Sequence, residues 1–382
     1  MKYIKRTIED KLIGKLHKGK ALSIYGPRQA GKTTLARRHL RQFESRDVEE
    51  YQVDDPSQAA LFMPEVATLS RIVGNKKVLF IDEAQSIENA GLVLKLLVDN
   101  FPEVQVIATG SSSFELSDKV KESMVGRAYT ATLLPLSAEE ISGDEKGKML
   151  FDIERAMRFG SYPEVAISDD NQAREILTTI TESYLYKDIL AIAGVQNPAT
   201  LRKLLTALAL QVGQEVSYNE LAAMLEVSRT MVERYIYLLE QCFVVYRLDP
   251  LSSNPRKILA SRKRKIYFYD IGIRNVLAGQ LDIPVNINPQ IGGLFENFCI
   301  TERLKTKLNH GINANSYYWR SPDSEVDYIE QSGSRVSAYE IKWNKRVKSP
   351  PRRFAEQFPD ADFMSVNRDN FWQMVDAIDN LA

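Results

Sequence analysis

The chain has 382 residues, more than a single hydrophobic core usually organises, so two or three domains are expected. Fifty basic and fifty acidic side chains cancel, which excludes a uniformly basic nucleic-acid coat but leaves room for local basic patches. No apolar run approaches the roughly 18 to 20 residues that cross a bilayer, and the charged start from Met1 to Asp10 lacks a signal-peptide core. Cys242 and Cys299 have no metal-ligand spacing, so a soluble cytoplasmic protein with two buried thiols is the expectation.

Tyr3 to Leu16 places Ile4, Ile8, Leu12, Ile13 and Leu16 at helical period, and Lys20 to Tyr25 reads as a short strand. Directly after it, Gly26, Pro27, Arg28, Gln29, Ala30, Gly31, Lys32 and Thr33 satisfy the G-x-x-x-x-G-K-[ST] spacing of a phosphate-binding loop. Glycines let the backbone fold around an anion with its N–H groups turned inward. The helix that follows, with Lys32, Thr33 and Thr34 in its first turn, adds a positive end. In such a loop Lys32 reaches the β- and γ-phosphates and the Thr33 hydroxyl ligates Mg²⁺. A chance glycine turn is the bland alternative, but it has no reason to sit between a strand and a helix.

Glu50 to Asp54 is a second strand candidate, closed by Asp55-Pro56. Lys77 to Glu83 is a continuous apolar strand that delivers two acids at its carboxyl end, as a parallel sheet covered on both faces requires. Asp82 is expected to hold the Mg²⁺ shell and Glu83 to polarise the attacking water; an acidic pair at a helix start is the alternative. A third apolar strand, Val104 to Thr109, runs into Gly110 and Ser111 to Ser113. Thr109 and Ser111 either orient the lytic water or belong to an ordinary turn. Arg127 is the arginine chosen for transition-state charge, in cis or toward a neighbouring copy in a homo-oligomer, against the alternative of a surface arginine.

Y-G-P-R-Q-A-G-K-T-T-L, V-L-F-I-D-E-A-Q, I-A-T-G-S-S-S and G-R-A-Y-T-A-T-L-L-P-L-S occur in that order. Together they resemble the AAA-like bacterial and archaeal P-loop ATPases with a fused, uncharacterised C-terminal domain. The resemblance implies ATP and Mg²⁺ as cofactors and ATP hydrolysis as the activity. By position it implies Lys32 and Thr33 as nucleotide contacts, Asp82 and Glu83 as metal and hydrolytic acids, and Thr109 to Ser111 as a sensor strand end. A second-domain arginine sensor has no match here.

Pro135 to Glu140 closes this core, and Ile141 to Lys148 reads as a connector. Gly160 to Glu164 and the amphipathic Tyr184 to Leu190 resemble the family's lid region. Ser217-x-x-Glu220 is a capping box; a second helix over Arg229 to Gln241 and a strand over Phe243 to Leu248 complete the order of a winged helix. Arg229, Thr230 and Arg234 would lie on its recognition helix, with Arg256, Lys257 and Arg262 to Lys265 as a basic segment, 256–265, near the wing. Those cations either meet DNA phosphates or solvate a strand edge.

The last third opens on an amphipathic helix from Gly292 to about Leu308, followed by strands over Ser316–Arg320, Glu325–Glu330 and Arg335–Trp343. With Gln331 to Ser334 as the turn, Asp327 lies opposite Ala338, and Glu340 and Lys342 follow on the same face. With Glu296 on the helix, these residues resemble the D…E-x-K core of the PD-(D/E)xK nuclease fold, in which acids hold a divalent metal and the lysine positions water. A helix from Asn370 to Leu381 is expected to close the chain.

The expected fold class is α/β: an AAA-like P-loop parallel sheet over 1–145, a helical lid and winged helix over 146–250, and an α+β nuclease-like domain over 251–382. The expected function is Mg²⁺-dependent ATP hydrolysis coupled to conformational change in the C-terminal region. A nucleotide-switched DNA-binding protein and a metal-dependent nuclease are the alternatives; no membrane partner is expected.

Overall fold

The computed structural model describes residues 3–111, 124–185, 197–252 and 263–376. They divide into two compact units, Met1–Pro135 with Gln241–Phe243, and Leu136–Glu240 with Val244–Ala382. Among the described residues no helix is long and apolar enough to cross a membrane.

In the first unit β1 (Ala21–Tyr25), β2 (Val48–Gln52), β3 (Val78–Asp82), β4 (Gln105–Gly110) and β5 (Ala128–Thr132) form one sheet in the order β2-β3-β4-β1-β5. Every neighbouring pair is parallel. β1, β3 and β4 are buried at every residue, the outcome for strands covered on both faces. Leu22, Ile24, Phe80 and Ile107 pack with Leu35 and Ala36 of helix α1 (Lys32–Leu40) on one face. Leu79, Ile81, Val106 and Ala108 pack with Val93, Leu94 and Leu97 of α2 (Ala90–Asn100) on the other. Alternate residues of each strand thus serve opposite layers. The amino-terminal helix is shorter than its apolar period suggests, Glu9–Ile13 followed by Gly14. Ile8, Leu12 and Leu16 are nonetheless buried.

The second unit opens with helices and then gives α3 (Pro198–Leu210), β6 (Glu215–Ser217), α4 (Tyr218–Leu225), α5 (Arg229–Gln241), β7 (Val245–Pro250) and β8 (Lys263–Phe268). Ser217 caps α4, its Oγ accepting from the Glu220 amide at 3.4 Å. Next come α6 (Ile291–His310), β9 (Asn315–Arg320), β10 (Glu325–Ser332), β11 (Arg335–Ile341), α7 (Arg352–Gln357) and β12 (Asp362–Val366). All seven strands form one mixed sheet in the order β12-β11-β10-β9-β7-β8-β6. The expected boundary at 250/251 is therefore corrected: it falls between β7 and β8, which pair antiparallel with each other while β7 also pairs with β9.

The β10–β11 turn is tighter than expected, Gly333 and Ser334 alone, with Ser332 opposite Arg335 and Tyr328 opposite Tyr339. Gly333 has φ +60°, which a two-residue hairpin turn demands. Ala338 therefore lies opposite Ile329 and not Asp327. The closing helix covers Trp372–Val375, and residues 377–381 of the expected one lie outside the described residues. Ser112, Ser113, residues 186–190, Arg256, Lys257 and Arg262 also lie outside them.

Candidate functional site

Parallel strands bring their carboxyl ends to one edge, and in the first unit β4 lies between β1 and β3. The loop after β1, the acids after β3 and the hydroxyls ending β4 are therefore neighbours. At the start of the loop Gly26 has φ +150°, and a Cβ there would lie 1.9 Å from the Leu133 carbonyl oxygen, so only glycine fits. Gln29 and Gly31 also have positive φ, turning the backbone before α1 begins at Lys32. Ala30 is buried, Gln29 and Thr34 are exposed, and Arg28 is half-buried. Lys32 is 4% exposed, and its Nζ donates to the carbonyls of Gly26 at 3.0 Å and Pro27 at 2.9 Å, bracing the loop from inside.

Thr33 Oγ1 donates to the Asp82 carboxylate at 2.9 and 3.0 Å, and the Thr109 hydroxyl donates to the same carboxylate. Thr109 Oγ1 also accepts from the Glu83 amide at 3.1 Å. Glu83 has φ +58°, a strained conformation for a glutamate, which swings its side chain off the strand axis. Gln85 Nε2 bridges Glu83 and Ser111, the latter at 2.9 Å. Burial alone would push the Glu83 carboxyl up. The Lys32 charge, the Gln85 and Ser111 hydrogen bonds and the Arg28 charge outweigh it and hold the acid below the ordinary glutamate value. A hydroxyl and a carboxylate are the hard oxygen donors that suit Mg²⁺, which takes few protein ligands and completes its shell with phosphates and water.

One side chain in this region escaped the sequence reading. Arg6, 4% exposed, donates to the carbonyls of Ala30 at 3.0 Å and Leu134 at 2.6 Å, pinning the loop from behind. No local motif announces it, because its partners are 24 and 128 residues away. Arg127 is corrected in the other direction. It precedes β5, where the Ala21 amide bonds to its carbonyl at the amino edge of the sheet, a strand length of about 15 Å from the loop. Its side chain pairs with Asp99 at 2.6 Å on the surface, so it does not reach the site of its own chain.

In the second unit Glu296 of α6, Asp327 of β10, Glu340 of β11 and Lys342 do come together. Lys342 Nζ lies 2.8 Å from both Asp327 Oδ2 and Glu340 Oε1, and the Ile341 amide donates to Asp327 Oδ2 at 2.9 Å. A member that sequence reasoning assigned elsewhere joins them. Lys265 of β8, fully buried, bonds Glu296 Oε1 at 2.8 Å and lies 3.7 Å from Asp327 Oδ1. Tyr267, two residues along the same strand face, donates to the same Glu296 oxygen at 2.5 Å. Burial pushes the Glu296 carboxyl up to about 7 against the pull of Lys265. The expectation of a second metal set is corrected: among the described residues no group of three His, Cys, Asp or Glu side chains is arranged to hold a metal.

Of the basic segment 256–265 the structure describes Lys263 to Lys265. Lys263 pairs with Glu215 at 3.5 Å, Arg264 pairs with Asp249, and Lys265 is internal. On α5, Arg229 pairs with Glu233 at 2.8 Å.

Comparison with known proteins separates the first unit in the same place and divides the second between residues 283 and 291, within the span of its one sheet. The family described as AAA domain matches residues 18–142, and two domains of unknown function, DUF8612 and DUF4143, match 150–283 and 291–368. An uncharacterised protein of Mycobacterium tuberculosis is 31% identical over 334 residues, 86% of this chain and 71% of the relative. One from Methanocaldococcus jannaschii is 26% identical over 349 residues, 86% and 75% of the two chains. Among solved structures, Orc1 of Aeropyrum pernix in complex with DNA aligns at TM-score 0.36 and 15% identity over 73% of this chain and 92% of that one. AMPPCP-bound DnaA of Aquifex aeolicus aligns at TM-score 0.29 and 15% identity over 61% and 86%. The chain belongs to the family of AAA-like P-loop ATPases that carry a fused C-terminal DUF4143 domain.

Proposed function

We propose that the chain binds ATP with Mg²⁺ at the carboxyl edge of the parallel sheet and hydrolyses it. The observation that carries the reading is the meeting of Lys32, Thr33, Asp82, Glu83 and Thr109 at one strand edge. Loop amides from Arg28 to Thr34 and the α1 amino end would cradle the phosphates, with Pro27 shaping the loop and Lys32 countering charge on the β- and γ-phosphates. Thr33 and Asp82 would hold Mg²⁺, which supplies Lewis-acid neutralisation of the phosphate oxygens. Glu83, ionised at neutral pH and oriented by Gln85, would accept a proton from the attacking water, while Thr109 fixes the Asp82 carboxylate. Turnover is expected to drive a change of conformation in the second unit.

The test is phosphate release by purified protein, with nucleotide affinity measured beside it. Glu83→Gln should retain nucleotide and lose about 10²- to 10⁴-fold in turnover, the scale of a general base. Lys32→Ala should lose binding and turnover together. Turnover surviving in Glu83→Gln at the wild-type rate would rule out this assignment of the acid.

A further inference from the structure

We infer that the acid cluster of the second unit is a nuclease-type centre whose compensating cation belongs to the chain itself, the Lys265 ammonium standing in for a divalent metal. The reading is independent of the nucleotide site. Helix α6 is followed by the three antiparallel strands β9 to β11, the core in which the D…E-x-K resemblance was read, with Glu296, Asp327, Glu340 and Lys342 at its chemical positions. What departs from a metal centre is β8, which pairs with β7 and so reaches this sheet from outside that core.

From β8, Lys265 sends its ammonium among the carboxylates: 2.8 Å from Glu296, 3.7 Å from Asp327 and 4.0 Å from Glu325. Its side chain has no exposure to solvent. A buried ammonium persists only where acids surround it, and here they do. Asp327 Oδ1 and Glu340 Oε2 are buried carboxylate oxygens without a hydrogen-bond partner. In a metal centre such oxygens would face the metal, yet Asp327 Oδ1 faces Lys265 at ion-pair range. Lys342 occupies the other oxygen of Asp327 and one of Glu340. A divalent ion shared by Glu296 and Asp327 would sit against the Lys265 charge, and the like-charge repulsion in a buried setting opposes it. These residues therefore do not fit a metal.

The experiment uses the full chain free of nucleotide, counting bound Mn²⁺ by electron paramagnetic resonance and following Tm in EDTA and in Mn²⁺. Wild type and Asp327→Asn should take up the same Mn²⁺, because Asp327 holds none. Lys265→Met should melt lower in EDTA and gain one Mn²⁺ site, at least tenfold tighter than any in wild type. That site should raise its Tm and vanish in Lys265→Met combined with Asp327→Asn. Should Lys265→Met fold only with Mn²⁺ present, and only with Asp327 intact, the inference stands equally. Mn²⁺ uptake by wild type that Asp327→Asn abolishes would overturn it. So would a folded Lys265→Met that gains no Mn²⁺ site, which would leave the lysine a structural ion-pair partner only. If Lys265→Met folds under neither condition, Lys265→Met with Glu296→Gln removes one charge of each sign and decides: Mn²⁺ at Asp327 and Glu340 supports the inference, and none counts against it.

Discussion

Gly26 has to be a glycine because the chain leaving β5 passes against it. The Leu133 amide bonds to the Tyr25 carbonyl at 2.6 Å, and the Leu133 carbonyl fills the space a methyl group would need. Gly26→Ala must therefore move backbone at the mouth of the phosphate loop. Nucleotide affinity should fall at least about tenfold with a lowered Tm, and a fluorescent-nucleotide titration matching wild type would refute this. Glu296 makes a prediction of opposite kind. Its carboxyl is raised in the fold to about 7 by burial, from an ordinary value near 4.5. The raised value means the fold favours the protonated acid. Its contribution to stability is complete below about pH 4.5 and is lost as pH rises through about 7. Melting curves from pH 5 to pH 8 should show Tm declining more steeply in wild type than in Glu296→Gln, and equal slopes would exclude the shift. The residues legible in the sequence were those carried by spacing, Gly26 to Thr33 and Asp82-Glu83 within one motif, and Asp327, Glu340 and Lys342 along the face of one hairpin. Lys265 and Arg6 were not, since each acquires its role from partners that only the fold brings near.

Helix α6 shows the same limit one scale up. Its apolar period reads as one buried face and one wet face, but the helix is central, and much of its polar face is buried and bonded. Asn297 bonds to both the amide and the carbonyl of Phe268, Glu302 accepts from the Ala138 amide, and Lys305 donates to Leu136 O and Ser161 Oγ. Period alone cannot distinguish polar residues facing water from polar residues facing a satisfied interior, because both leave the same pattern. A two-pronged tie from α6 to the sheet is Arg303, 1% exposed, whose guanidinium grips Glu330 of β10 at 2.8 and 2.9 Å. Arg303→Met leaves the Glu330 carboxylate buried with one cation, Lys307 at 3.7 Å, and the Tyr328 hydroxyl, which donates to it at 2.9 Å. A loss of about 3–5 kcal/mol is expected in urea unfolding. Arg303→Met with Glu330→Leu removes both charges and should recover most of that loss. A double variant as unstable as the single one would show that packing, and not the stranded charge, sets the cost.

For the whole molecule, the unit of folding after Pro135 is fixed by one sheet. Composition suggested a seam near residue 250, where a helix-rich segment gives way to strands. The backbone contradicts it: β7 pairs with β9 through Asp249–Tyr317 and Pro250–Tyr318, and the Leu251 amide bonds to the Tyr318 carbonyl at 2.6 Å. A chain cut at 250/251 would strip β8 of both neighbours, β6 and β7, and would leave β9 with a bare edge. It would also free Lys265 from the strand pairing that aims it at Glu296. A fragment 136–382 keeps every one of these ladders, whereas 251–382 keeps only the pairings among β9 to β12. The expected outcome is a single cooperative thermal transition for 136–382, and for 251–382 aggregation or a melt without cooperativity. Thermal unfolding followed by circular dichroism on both fragments checks it. A sharp transition in 251–382 within a few degrees of that in 136–382 would mean that the ladder from β7 to β9 is an accessory contact, and the seam would return to residue 250.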